Sequence, residues 1–160
     1  MQPFEVKLLF NGKPWLTVKL EVGHNEIGDA EEPEWGLSSD IVELFESVGL
    51  PVPEPVPLMP LHHQIAQKLH GLSGTGSERA HDLIDLQLIV KNGEIDYLET
   101  KNACERLFSY RNAQPWPPII DKGFGWDDLY ADQLDGVDVI ESIDDAITWV
   151  NTLIVTIRDS

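Results

Sequence analysis

The sequence predicts an α+β fold in which an N-terminal β-hairpin or small antiparallel sheet precedes a bundle of about five helices. Two patterns predict it. Apolar and polar residues alternate on both sides of Asn11-Gly12, and beyond residue 60 apolar residues recur every third or fourth position. A chain of 160 residues, of which 42% are hydrophobic, can bury a real core. We therefore expect one ordered domain, or a small domain with an appendage.

The N-terminal alternation predicts a hairpin with one apolar face. Asn-Gly is typical of a tight turn between two strands. The residues expected on the shared face are Phe4, Val6, Leu8, Phe10, Leu16, Val18, Leu20 and Val22. Residues 23–36, rich in Glu, Pro and Asn, predict a loop.

A helix and a proline-rich connector follow this loop. Ser39 is expected to cap a helix that runs to about Val48, because the apolar residues there form one stripe. Five prolines between residues 51 and 60 predict an extended, stiff connector. We therefore expect two units, residues 1–56 with the hairpin and helix, and a helical domain at residues 57–160.

Beyond the connector, helical periodicity predicts helices at residues 60–72, 78–90, 95–111 and 142–158, with a short one at 126–133. In the first of these, Lys68 lies beside Leu61 at the edge of the apolar stripe, while His63, Gln67 and His70 share the opposite face. The last helix carries a continuous apolar stripe, which is expected to pack on the core or on a second copy of the chain. A homodimer is thus one expectation.

The charge of the chain is strongly negative and uneven. Eleven basic residues stand against 28 acidic ones, for a net charge of −17. Attraction to nucleic acid or to an anionic membrane is therefore not expected. Six of the eleven basic residues lie within residues 61–111, where the net charge is only −1. An anionic ligand is most favourably placed in this middle third, although acidic flanks that simply keep the protein in solution give the same pattern.

Several classes of protein find no support in the sequence. No segment approaches the roughly 20 apolar residues of a membrane span, and the N-terminus lacks a basic start and a cleavage site. The single Cys104 permits no internal disulfide. No His-Glu-x-x-His pattern occurs, so no metal site is predicted. The simplest expectation is a cytoplasmic protein.

The helix predicted at residues 78–90 carries two carboxylates in an otherwise apolar segment. Asp82 and Asp85 project from neighbouring points of one side, and Arg79 lies one turn before Asp82. Carboxylates on a mostly buried helix must be paired, so Lys68 is predicted to lie within salt-bridge distance of one of them. These four residues form either a polar pocket for a ligand or an inter-helix salt bridge that binds nothing.

The same residues carry a resemblance to a known family. The run Lys68-Leu-His-Gly-Leu, followed by Arg79-Ala-His-Asp82-Leu-Ile-Asp85-Leu, resembles the C-terminal motif of AbiEii/AbiGii-type nucleotidyltransferase toxins. In that motif a helix with Lys-Leu-His-Ala-Leu precedes a short loop, an arginine and Asp-Leu-x-Asp-Leu. The hairpin ending in Leu-Glu21-Val resembles the last strands of the family's nucleotidyltransferase sheet.

The resemblance implies transfer of a nucleotide from an NTP with the aid of Mg²⁺, in a toxin–antitoxin or abortive-infection setting. Lys68 and Arg79 would then bind the nucleotide phosphates. Asp82 and Asp85 would organise the pocket or assist the acceptor, and Glu21, otherwise a solvated strand carboxylate, would be the third sheet carboxylate. The partners that it implies are a cognate antitoxin or a missing N-terminal half.

The sequence departs from this pattern at the metal site. The family's Gly-rich turn and Asp-x-Asp strand are not found, so the chain is expected to be inactive alone, as a truncated toxin, half of a split enzyme or a relative that only binds. An alternative function is an acidic protein-interaction module. Such a module, antitoxin-like or a nucleic-acid mimic, would occupy a basic surface with its acidic flanks.

Overall fold

The structure, a computed structural model, describes residues 2–28 and 31–160. Within them, an antiparallel hairpin comes first and is followed by a second small sheet. One helix lies between the two strands of this second sheet along the chain, and a helical body follows. The predicted α+β class, with strands before helices, is confirmed. None of the helices in these described ranges is both long and apolar enough to cross a bilayer.

The hairpin consists of β1 (Gln2–Phe10) and β2 (Lys13–Val22), paired in antiparallel register with Val6 opposite Val18. Asn11 and Gly12 both adopt positive φ, 48° and 74°, as a two-residue hairpin turn requires. The apolar face exists as predicted, but it is not buried. The hairpin contacts none of the described helices, and its large apolar side chains other than Leu8 remain 42 to 71% exposed.

A second, shorter sheet corrects two of the sequence predictions. β3 (Glu34–Gly36) comes from the predicted loop, and β4 (Val56–Leu58) comes from the predicted connector. Proline-rich backbone is extended and suits an edge strand, so three residues of it can pair. Gly36 makes the pairing close, since a Cβ at this position would lie 2.7 Å from Leu58 Cδ1. The helix between these strands, α1 (Ser39–Ser47), has no buried residue.

The helical body contains the remaining five helices of the described ranges. They are α2 (Leu61–Leu72), α3 (His81–Asn92), α4 (Tyr97–Arg111), α5 (Trp126–Ala131) and α6 (Ile143–Arg158). Their boundaries lie within three residues of the predicted ones. α2 packs against both α3 and α4, and α6 packs against α3, α4 and α5. The predicted stripe of α6 is buried in this core, which confirms the first of its two expected placements.

The environment of α2 differs from the prediction at His63. Periodicity placed His63 on the face opposite the apolar stripe, where solvent exposure is the rule, whereas its relative exposure is only 8%. Two neighbouring helices pack against α2, so the face opposite its main stripe is covered as well. His70, predicted on the same face, is also half-buried, and its ring lies edge-on to Phe108 with centroids 4.9 Å apart.

Candidate functional site

Four charged side chains from α2, α3 and the loop before α3 meet in what we call the Lys68 cluster, formed by Lys68, Arg79, Asp82 and Asp85. Lys68 Nζ lies 3.1 Å from Asp82 Oδ1 and 2.6 Å from Asp85 Oδ2. Arg79 donates from Nε to Asp82 Oδ2 and from Nη2 to Asp82 Oδ1, the latter over 3.1 Å. The prediction that Lys68 pairs with one of these carboxylates is confirmed for both.

Local sequence explains how the cluster assembles. Asp82 and Asp85 are three residues apart on α3 and therefore face the same neighbour. Gly71 on α2 allows the arginine to approach, because a Cβ there would lie 2.6 Å from Arg79 Nε. The loop between the two helices is held back on α2 by Ser77, whose Oγ donates to the Gly71 carbonyl at 2.8 Å. The glycine at position 71 thus leaves the space in which Arg79 crosses the end of α2.

The two carboxylates of the cluster differ in exposure. The Asp82 side chain is fully buried, whereas that of Asp85 is 43% exposed. Both Asp82 oxygens contact cations. A third neighbour, His81 Nε2, lies 3.6 Å from Asp82 Oδ1. The hydrogen bond to Asp82 raises the pKa of Arg79 above its ordinary value, despite the opposing effect of burial. Asp82 therefore acts as the buried anchor that orients both cations.

The cationic side of the cluster opens into a cleft. This cleft has a volume of about 400 Å³ and lies between β4 and the adjoining face of α2. Its lining consists of Pro57, Leu58, Met59, Gln64, Gln67, Lys68 and Arg79. Both cations reach the cleft, while neither aspartate lines it. An anionic group in the cleft would thus meet Lys68 and Arg79 before it met a carboxylate.

Glu21 is not brought to this cluster. It lies on β2, opposite Pro3 in the hairpin register, and is exposed. The hairpin packs on none of the described helices, so no contact in the described ranges links Glu21 to Lys68 or Asp85. Its predicted role as a third carboxylate finds no geometric support within these residues.

A second group of polar contacts lies beside α2 and was not predicted from the sequence. Arg111 Nη2 lies 2.6 Å from Glu26 Oε2, and Arg111 Nη1 lies 3.3 Å from His70 Nδ1. Arg106 donates to the carbonyl of Ile27. Burial first, and then the charge of Arg111, lower the pKa of His70, although Glu26 opposes them. These contacts tie the segment after the hairpin to α4 across about 80 residues of chain, a separation at which the sequence gives no signal.

The residues of the cluster suit a phosphate better than a metal ion. Mg²⁺ requires several free oxygen ligands, but both oxygens of Asp82 and one of Asp85 are already bound by cations. No group of three His, Cys, Asp or Glu side chains within residues 2–28 and 31–160 is arranged to hold a metal ion. The Lys68 cluster by itself therefore does not fit Mg²⁺.

Comparison of the sequence with known proteins identifies its family. No curated protein matches the sequence. A family model described as "Nucleotidyl transferase AbiEii toxin, Type IV TA system" matches residues 3–147. This match includes the hairpin, the Lys68 cluster and most of the helical body. The chain belongs to the AbiEii nucleotidyl transferase toxin family, and its identity is that of a nucleotidyltransferase-like protein of a toxin–antitoxin system.

Proposed function

We propose that this chain binds the triphosphate of an NTP through Lys68 and Arg79, as a toxin-like nucleotidyltransferase component acting in the cytoplasm. The observation that carries the proposal is the orientation of both cations, which share the buried Asp82 and line one cleft. A buried carboxylate that holds a lysine and an arginine in place lowers the cost of ordering them around an anion.

The two aspartates have different proposed roles. Asp82 is buried and engaged on both oxygens, so it positions the cations. Asp85 is partly exposed and, among the residues that the structure describes, pairs with Lys68. When a phosphate oxygen replaces Asp85 as the partner of Lys68, neither oxygen of the Asp85 carboxylate is paired with this cation, and the carboxylate can accept a proton from an acceptor hydroxyl. Phosphate binding and activation of the acceptor are thereby linked through Lys68.

Nucleotide transfer also needs Mg²⁺ held against the triphosphate, where the ion neutralises the charge that develops on the phosphates. The described residues do not supply such a site, and Glu21 lies away from the cluster. We therefore propose that the chain binds NTP without transferring a nucleotide by itself. The metal carboxylates would be supplied by polypeptide outside these residues that corresponds to the N-terminal half of the enzyme.

The distribution of buried residues supports a helical body with its own core, although β4 pairs with β3 across the proposed division near residue 56 and Arg111 binds Glu26. All buried apolar side chains in the described ranges come from residue 60 onward, whereas the hairpin and α1 contribute none. A helical body with its own core, and an N-terminal unit whose apolar face is open, are consistent with assembly on a further polypeptide. The cognate antitoxin is proposed as a regulatory partner, on the basis of family membership alone.

A transfer assay tests this function. The purified protein is incubated with each radiolabelled NTP, Mg²⁺ and total tRNA, and label in the RNA is measured. We expect none above background. Label transfer that is lost in Lys68→Ala would overturn the proposed inactivity. Lys122→Ala is the matched control, because Lys122 also bridges two carboxylates, Asp127 and Asp144, at 3.0 Å each but lies outside the cleft.

A further inference from the structure

We propose that the cleft between β4 and α2 binds the nucleoside part of the NTP, with Gln64 as the residue that recognises the base. This inference rests on the proposed function, since it places the nucleoside next to a triphosphate held by Lys68 and Arg79. It adds a binding surface and a residue that recognises the base. The cleft, at about 400 Å³, falls within the range of small-molecule sites.

The cleft has two chemically distinct walls. Pro57, Leu58 and Met59 form an apolar wall, and Gln64 and Gln67 provide amides from α2. A flat, uncharged ring with hydrogen-bonding edges matches this combination, because one face can lie on apolar side chains while the edge meets an amide.

The orientation of Gln64 is fixed by the wall itself. Gln64 Nε2 lies 2.6 Å from the carbonyl oxygen of Met59. A carbonyl only accepts hydrogen bonds, so the amide nitrogen must face Met59, and the amide oxygen remains as an acceptor. A pre-oriented acceptor selects N–H donors, and every nucleobase of RNA carries an imide or amino N–H on its edge.

Helical spacing places this acceptor beside the phosphate site. Gln64 and Lys68 are four residues apart on α2 and therefore lie one turn from each other on the same side. A nucleotide likewise places a single pentose between its base and its first phosphate. The order Gln64, then Lys68 and Arg79 therefore corresponds to the order base, ribose, triphosphate.

The overall charge makes the nucleoside contact important. The chain carries a net charge of −17, which disfavours any free polyanion. The base is uncharged, so the negative charge of the protein does not oppose its burial on the apolar wall. Affinity should consequently depend on the nucleoside, and NTPs should bind more tightly than an inorganic chain of three phosphates.

Calorimetric titration at low salt with the four NTPs and with inorganic tripolyphosphate tests the inference. At least one NTP should bind about tenfold more tightly than tripolyphosphate. Gln64→Leu should weaken that NTP about fivefold, the equivalent of one hydrogen bond, and leave tripolyphosphate within twofold. Leu58→Ala should likewise weaken binding of the NTP but not of tripolyphosphate. This variant keeps the hydrogen bond from Gln64 to the Met59 carbonyl. Gln133→Leu, at an exposed glutamine outside the cleft, is the matched control and should change neither affinity.

The possible failures are distinguishable. Equal affinities for NTPs and tripolyphosphate, both lost in Lys68→Ala, would overturn the nucleoside cleft and leave the phosphate site standing. NTP binding that persists in Lys68→Ala would overturn the proposed function. The absence of binding by every ligand would overturn both. Circular dichroism of each variant verifies that the helical body is folded, so that a loss of affinity reports on the cleft.

Discussion

Lys68 Nζ contacts the fully buried carboxylate of Asp82 at 3.1 Å and the half-exposed carboxylate of Asp85 at 2.6 Å. The shorter contact is therefore the more solvated one. Solvent screening reduces the value of an exposed ion pair, whereas a buried charge depends on its partners. Asp82 and Asp85 should consequently contribute very differently to folding.

Asp82→Ala should lower the free energy of unfolding by about 2 kcal/mol, because it removes the hydrogen bonds of a fully buried carboxylate. The loss stays below that for an uncompensated buried charge, since Lys68 keeps Asp85 as a partner and Arg79 is about half exposed to solvent. Asp85→Ala should cost less than about 1 kcal/mol, as for an exposed pair. Urea denaturation followed by circular dichroism measures both values. Equal losses in the two variants would mean that burial does not distinguish these carboxylates.

A hydrogen-bond network that joins Gln87 on α3, Tyr130 on α5 and the backbone of Ile140 should also be sensitive to substitution. Gln87 Nε2 donates to Tyr130 Oη at 3.0 Å, Tyr130 donates to the Ile140 carbonyl at 2.5 Å, and Ile140 N donates to Gln87 Oε1 at 2.8 Å. Gln87→Leu should cost about 2 kcal/mol, since it removes the buried hydrogen bond to Tyr130 and leaves the partly buried N–H of Ile140 without its acceptor. Gln133→Leu, at an exposed position, is the control and should fall within about 0.5 kcal/mol of wild type. A Gln87→Leu variant as stable as wild type would contradict the network.

Stability should fall on mild acidification because of His70. Burial and Arg111 hold the pKa of His70 below its ordinary value, so between that lowered pKa and about 6.5 the unfolded chain binds more protons than the folded one. The stabilising effect of the neutral ring is complete above pH of about 6.5 and is lost as the pH falls through this interval.

The urea midpoint of wild type should therefore decrease more between pH 7 and pH 5 than that of His70→Asn. The two proteins differ at this side chain alone, so the difference between their pH profiles reports on the imidazole. His24→Asn, at an exposed histidine, serves as control. Identical pH profiles for wild type and His70→Asn would show that the ring protonates freely in the folded state.

Substitutions on the open hairpin face should not affect the helical body. Val6 and Val18 lie opposite each other on this face and contact no described helix. Val6→Thr and Val18→Thr should each change the unfolding free energy of the helical body by less than about 0.5 kcal/mol. Ile147→Thr, on α6, is the contrasting variant and should destabilise it. Large losses from the hairpin variants would contradict a separate N-terminal unit.

The features predicted correctly are those with a local signal. Asn11-Gly12 specifies its turn because both residues accept positive φ. The α6 stripe follows from helical periodicity, and the Lys68 cluster follows from the need to pair carboxylates on an apolar helix. These predictions need only residues within about one helical turn, or two helices joined by a short loop.

The features that the sequence could not predict are long-range. β3 and β4 pair over three residues each, too few for a periodic signal. His63 is buried because further helices pack on α2, which its own periodicity does not report. The Arg111–Glu26 pair and the Gln87 network join residues 85 and 43 positions apart. Such contacts depend on the topology of the whole chain.

The central claim is that Lys68 and Arg79 hold the triphosphate, and ³¹P NMR titration of an NTP tests it most directly. The phosphorus resonances should shift and broaden with wild type and with Lys122→Ala, and should remain at their free positions with Lys68→Ala. Added salt should reverse the shifts, because the site is partly exposed. Phosphorus shifts with Lys68→Ala equal to those with wild type would contradict the account.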